Sequence, residues 1–168
     1  MQGINHKRSN TPCQDFSFST TAFDKLFISL SDGAGSSYKS DLGAENSAKA
    51  AVNFVCSNID RLKNFDDNFI KRMIVENLQQ SLSVFAENNS LFIKDLATTL
   101  ISIYTDSSEI IAFHIGDGIL AEFDVNGIEI ISEPSNGEFK NQTYFITDVD
   151  AILNSRVIRK QRIKSNGY

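Results

Sequence analysis

The chain has 168 residues, 41% apolar and 22% charged, with a net charge of −5. That length supports one domain with its own core, and the ordinary balance argues against a disordered protein. The acidic sign argues against a broad nucleic-acid or anionic-membrane surface, and no apolar run approaches the roughly 20 residues that span a bilayer.

Residues 1–8, Met-Gln-Gly-Ile-Asn-His-Lys-Arg, hold no signal-peptide core, so a cytoplasmic protein is expected. Cys13 and Cys56 form no Cys-x-x-Cys or Cys/His cluster, which argues against a zinc site or a disulfide framework. Both read as small buried residues.

In chain order, Phe16 to Ser19 reads as a short strand, and Leu26 to Leu30 as a buried strand that stops at Ser31-Asp32-Gly33. A Gly- and Ser-rich loop runs from Gly33 to Ser40. Ala44, Ala48, Ala51, Val52, Val55 and Ile59 then recur at helical spacing, with Asp41 as the expected N-cap and Glu45 in the first turn. Phe69, Ile70, Met73, Ile74, Leu78, Leu82 and Phe85 give a second helix a broad apolar stripe, opened by Asp66-Asp67 and closed by Asn88-Asn89.

The second half turns to strands: Thr99 to Tyr104, Glu109 to Ile115, Ile119 to Asp124 and Ile128 to Ser132, with Asn126-Gly127 as a hairpin turn. Tyr144 to Thr147 reads as a fifth. The basic stretch from Arg156 to Lys164 reads as a solvated end of the chain. Strands, two helices, then an antiparallel meander make an α+β pattern, with helices covering a sheet face.

Acidic residues at strand ends stand out. Asp15 begins one strand, Asp32 ends another, and Asp117 sits in a tight turn. Carboxylates at sheet ends beside glycines suit hard cations such as Mg²⁺ or Mn²⁺, which take oxygen ligands and keep several waters. Gly33 lets the backbone approach closely, so its carbonyl is a further candidate ligand. Each alone is weak: Asp-Gly is a common turn, and Gly116-Asp117-Gly118 between two apolar strands is a hairpin by turn chemistry.

The ordered set is more specific. Gly3-Ile4-Asn5-His6 is followed by Cys13-Gln14-Asp15, by Leu30-Ser31-Asp32-Gly33-Ala34-Gly35-Ser36, and by Asp41-Leu42-Gly43-Ala44. Then come Leu96-Ala97-Thr98-Thr99-Leu100, His114-Ile115-Gly116-Asp117-Gly118, and the segment from Asn136 to Phe145. This series resembles the bacterial branch of the metal-dependent protein phosphatase 2C (PPM) family.

The resemblance implies an α-β-β-α sandwich of two antiparallel sheets flanked by helices. It implies two Mn²⁺ or Mg²⁺ ions, and hydrolysis of phosphoserine or phosphothreonine by direct attack of a metal-bridging hydroxide. Asp32 would bridge both ions, Gly33 would offer its carbonyl, and Asp15 would be the N-terminal acidic ligand. Gln14 stands where many members have Glu, which implies a role through water. Asp117 matches a turn near a further, weaker metal in some members. Asn10 replaces an arginine that contacts phosphate in many members, leaving Arg8, Lys7 or His6 for that task. His6 is either a proton donor to the leaving alkoxide or a structural histidine that caps or packs.

The implied partner is a phosphorylated protein, the substrate of a cognate Ser/Thr kinase, with no nucleic acid and no membrane. The similarity fades after Asp148, and the family's Ser/Thr-Asp-Gly motif and last Asp, both metal ligands, have no match by Tyr168. The expectation is therefore a single phosphatase 2C-like domain over residues 1–168, truncated at its C-terminal end. The alternative to an enzyme is a pseudophosphatase that binds a phosphoprotein or partner without turning it over.

Overall fold

The computed structural model describes residues 12–125, 127–135 and 143–162. His6, Lys7, Arg8 and Asn10 lie outside the described residues, as do Asn126 and the segment 136–142.

Two antiparallel sheets form. β1 (Asp15–Ala22), β2 (Lys25–Asp32), β3 (Leu100–Thr105), β4 (Glu109–Ile115) and β7 (Arg156–Gln161) make a five-stranded sheet in the order β1-β2-β3-β4-β7. β5 (Leu120–Asp124) and β6 (Gly127–Ser132) make a two-stranded ribbon. The α+β class and the two antiparallel sheets expected from the sequence are present. No helix among the described residues is long and apolar enough to cross a membrane.

One face of the large sheet carries the helices α1 (Ser40–Leu62) and α2 (Asp67–Asn88). The stripes predict this: Ala44, Ala48, Ala51, Val52, Val55 and Ile59 of α1 and Ile70, Ile74, Leu78 and Leu82 of α2 are buried. From the sheet, Phe27, Tyr104 and Phe113 enter the same core, the first two with ring centroids 5.4 Å apart. Strand side chains alternate between faces, so Phe27, Ser29 and Ser31 of β2 point under the helices while Leu30 and Asp32 point away. Leu30, on the far face, is 51% exposed.

Helix ends follow local chemistry. The Asp66 carboxylate caps α2, accepting from the Phe69 N–H at 3.0 Å. Asp41 is not the cap of α1. That helix begins two residues earlier, at Ser40 with Lys39 in the cap position, and the Lys39 N–H donates to the Asp95 carbonyl at 2.8 Å in the 3₁₀ turn Ile93–Leu96. Asp41 instead sits in the first turn, where its charge faces the helix dipole.

Three further expectations are corrected. Tyr144 to Thr147 is not a strand. Asp148 accepts the Phe145 N–H at 2.8 Å and folds the segment into turns leading to the short helix α3 (Ala151–Asn154), with Ile146 buried. Arg156–Gln161 is not a solvated end but the edge strand β7, paired with β4 from Glu109↔Gln161 to His114↔Arg156. Its charges are taken up on both sides of the sheet: Arg159 reaches Asp67 at 2.8 Å, and Lys160 reaches Glu122 at 2.5 Å and Glu129 at 2.6 Å. Lys160 thereby ties the β5–β6 ribbon to the large sheet. Finally, Cys13 is exposed and Cys56 only half-buried.

Candidate functional site

The β1–β2 register places Asp15 directly opposite Asp32, the last pair of that ladder. Both belong to the sheet face turned away from the helices, because alternation sends Phe16 and Ser31 to the other side. The pairing continues through Gly33, whose N–H donates to the Gln14 carbonyl at 2.9 Å and which bridges to Thr98.

Gly33 is glycine for a packing reason. A Cβ there would lie 2.5 Å from the Ser40 carbonyl oxygen, so the Asp-Gly step can pass under the start of α1 only without a side chain. Gln14 clips the same corner, its Nε2 donating to Ser40 Oγ at 2.8 Å. The structure thus places Gln14 on the helix start.

The Asp32 backbone is held from β3. Its carbonyl accepts from the Thr99 N–H at 2.9 Å and from Thr98 Oγ1 at 2.9 Å, and its N–H donates to Thr99 Oγ1 at 3.2 Å. Thr98 and Thr99 are both buried.

Two adjoining grooves share Asp32 and Thr99. One, of about 310 Å³, also has Cys13, Asp15, Leu30 and Ile101 in its walls. The other, of about 220 Å³, has Gly33, Asp117 and Thr143. The structure therefore brings Asp15 to Asp32 and Asp32 to Asp117, with Asp32 common to both. Asp117 is exposed at its turn and accepts from Thr143 Oγ1 at 3.3 Å. Among the described residues no lysine or arginine lines either groove. No group of three His, Cys, Asp or Glu suited to a metal ion occurs among the described residues either. The expected roles of His6 and Arg8 fall outside them.

Beside the Asp117 turn lies a residue whose role the sequence did not signal. His114 is 1% exposed, with Nδ1 2.7 Å from Ser132 Oγ and 2.9 Å from Arg156 Nη2. Arginine only donates, so Nδ1 accepts and the neutral ring carries its proton on Nε2, a buried atom with no hydrogen-bond partner among the described residues. Burial, and then the charge of Arg156, push its pKa from 6.5 down to about 4, against a smaller upward pull from Gly116 and Asp117.

The sign of the linkage follows. A depressed histidine is neutral when folded but binds a proton when unfolded, so stability is full above pH 6.5 and falls as pH drops toward about 4. The expected loss across that window is about 3 kcal/mol. Urea denaturation of His114→Gln should show that slope flattened relative to the parent chain. An unchanged slope would contradict the assignment.

The chain matches the family model for protein phosphatase 2C over residues 2–165. It belongs to that family. The chain is 26% identical over 155 residues to serine/threonine-protein phosphatase 3 of Escherichia coli (strain K12), a match that covers 89% of this chain and 61% of that relative. It thus spans about three-fifths of the relative's length. Among solved structures it resembles a bacterial serine phosphatase, with a TM-score of 0.65, 12% identity, and coverage of 89% of this chain and 68% of the other. It also resembles the serine/threonine phosphatase Stp1 of Staphylococcus aureus, with a TM-score of 0.59, 12% identity, and coverage of 90% and 72%. At such identities these structures speak for the shared phosphatase 2C fold alone.

Proposed function

We propose that this phosphatase 2C chain hydrolyses phosphoserine and phosphothreonine in proteins, using Mn²⁺ or Mg²⁺ held at the Asp15–Asp32 end of the large sheet. The observation that carries this reading is the cross-strand pairing of Asp15 with Asp32 beside a groove. A phosphate group approaching that groove meets carboxylates and no lining lysine or arginine among the described residues. Such a surface takes up a phosphate only with cations between them.

The donors suit the ions. Two carboxylates and nearby backbone oxygen match the hard-oxygen preference of Mg²⁺ and Mn²⁺, and Mg²⁺ is commonly held by one or two carboxylates with waters completing its shell. Asp15 and Asp32 would be the anionic ligands, the Gly33 carbonyl a neutral one, and Asp117 a weaker ligand in the adjoining groove. When bound, such ions acidify a water and offset phosphate charge. The protein's own part is to hold its acids in place: the Asp32 backbone through Thr98 and Thr99, and the Gln14–Asp15 step through Ser40. His6 as proton donor and Arg8 as phosphate contact complete the proposal. The physiological counterpart would be a cytoplasmic Ser/Thr kinase acting on the same substrate.

The test is hydrolysis of a phosphothreonine peptide by the 168-residue chain with Mn²⁺, then with EDTA. Turnover that EDTA abolishes and Mn²⁺ restores is expected. A folded chain that binds the peptide without cleaving it would favour the pseudophosphatase reading instead.

A further inference from the structure

We propose that Thr99 is the positioning residue that fixes Asp32 and the Asp117 turn relative to each other. This rests on reading both acids as parts of one site. Thr99 has two chemically different ends: the hydroxyl meets the Asp32 main chain, and the methyl meets Gly116 beside Asp117.

The hydroxyl faces Asp32. At this point the β2–β3 ladder departs from regular pairing: the Asp32 N–H donates to Thr99 Oγ1 at 3.2 Å, while the Thr99 carbonyl accepts from Ser31 Oγ at 2.6 Å. A side chain therefore supplies an acceptor for the Asp32 N–H, and its removal takes that hydrogen bond away. Thr98 cannot replace it, because Thr98 Oγ1 meets the Asp32 carbonyl.

The methyl faces Gly116, the residue before the other acid. Gly116 has a φ of +111°, and a Cβ there would fall 2.5 Å from Thr99 Cγ2 and 2.6 Å from Thr99 Cβ. The Gly116-Asp117-Gly118 turn thus rests directly on the Thr99 side chain. Thr99 also forms part of the wall of both grooves. Serine lacks the methyl and valine lacks the hydroxyl, so the two contacts can be removed one at a time at nearly constant shape.

The experiment compares the parent chain with Thr99→Val and Thr99→Ser. The readouts are amide hydrogen exchange at Asp32, amide NMR shifts at residues 116–118, and Mn²⁺ affinity by calorimetry. In Thr99→Val, exchange at Asp32 should rise roughly tenfold, the factor expected for the loss of one hydrogen bond, while the 116–118 shifts hold. In Thr99→Ser the pattern should reverse. Mn²⁺ affinity should fall in the valine variant by about tenfold and be largely kept in the serine variant. A residue that merely stabilises the fold would move both regions together in both variants, and that result, or no change in either region, would overturn the proposal. If the parent chain takes up no Mn²⁺, the metal reading of the site falls, while the exchange and shift patterns still decide what Thr99 holds.

Discussion

Asp32→Asn should cost the chain at least about two orders of magnitude in Mn²⁺-dependent turnover, or ~3 kcal/mol of transition-state stabilisation. The substitution removes the negative charge and keeps the side chain's size. Asparagine has nearly the same volume, and the backbone at this position is held by Thr98 and Thr99 through main-chain atoms that the change does not touch. Asp32 lines both grooves, so no other described carboxylate stands where it does. The fold should survive, with an unfolding midpoint close to that of the parent, and Mn²⁺ affinity should fall with the rate. Asp117→Asn, which touches only the smaller groove, should have the milder effect. Steady-state kinetics on a phosphothreonine peptide, paired with urea unfolding, checks both. An Asp32→Asn chain with parental turnover would remove this residue from the site.

The largest effect on stability is expected far from the site, at Asp106→Ala, with a loss of about 3 kcal/mol and a drop in Tm of roughly 10 °C. Asp106 follows β3, and its side chain is only 11% exposed. Oδ1 accepts from the Ser108 N–H at 2.8 Å, Ser108 Oγ at 2.7 Å and the Glu109 N–H at 3.0 Å, which builds the β3–β4 turn. Oδ2 accepts from the Tyr104 hydroxyl and from Lys63 Nζ at 3.0 Å, which ties the end of α1 to that turn. Lys63 also meets Glu109 at 2.8 Å and lies over the Tyr104 ring.

Burial pushes the Asp106 pKa up, but the hydrogen bonds from Tyr104, Ser108 and Lys63 outweigh it and hold the carboxyl far below its ordinary 3.8. Its stabilisation is therefore present above pH 3.8 and lost only as pH falls below that value, a window separate from that of His114. Alanine leaves a tyrosine hydroxyl and a lysine half-buried and short of partners. Asparagine keeps an acceptor for the turn and should recover part of the loss. Urea unfolding of the two variants at neutral pH measures this; a loss for alanine no greater than that for asparagine would contradict the network.

β1 to β6 and the two long helices were legible in the sequence because each obeys a local rule. Apolar alternation marks the strands, Asp-Gly and Gly-Asp-Gly steps stop two of them, and the α2 stripe follows a true Asp66 cap. β7 was not legible. Arg-Val-Ile-Arg-Lys-Gln looks like a charge run, and what makes it a strand is a set of partners that only the fold assembles: Ser132 and His114 for Arg156, Asp67 for Arg159, and Glu122 and Glu129 for Lys160. Tyr144 to Thr147 failed for the converse reason: its apolar character serves burial in a turn that Asp148 shapes.

The same division holds at the candidate site. Asp15 and Asp32 were visible as acids at strand ends, yet their pairing depends on the register set by the tight turn at Phe23 and Asp24, where Phe23 has a φ of +57°. Thr99 was visible only as part of a family-like segment. Its grip on Asp32 and Gly116 arises from residues 67 and 17 positions away along the chain, beyond the reach of any local pattern.

The most direct measurement of the central claim is anomalous scattering at the manganese edge from crystals of the 168-residue chain grown with Mn²⁺. A peak between the Asp15 and Asp32 carboxylates, lost in Asp32→Asn, is the predicted result. Manganese bound only elsewhere, or a peak that Asp32→Asn leaves in place, would contradict it.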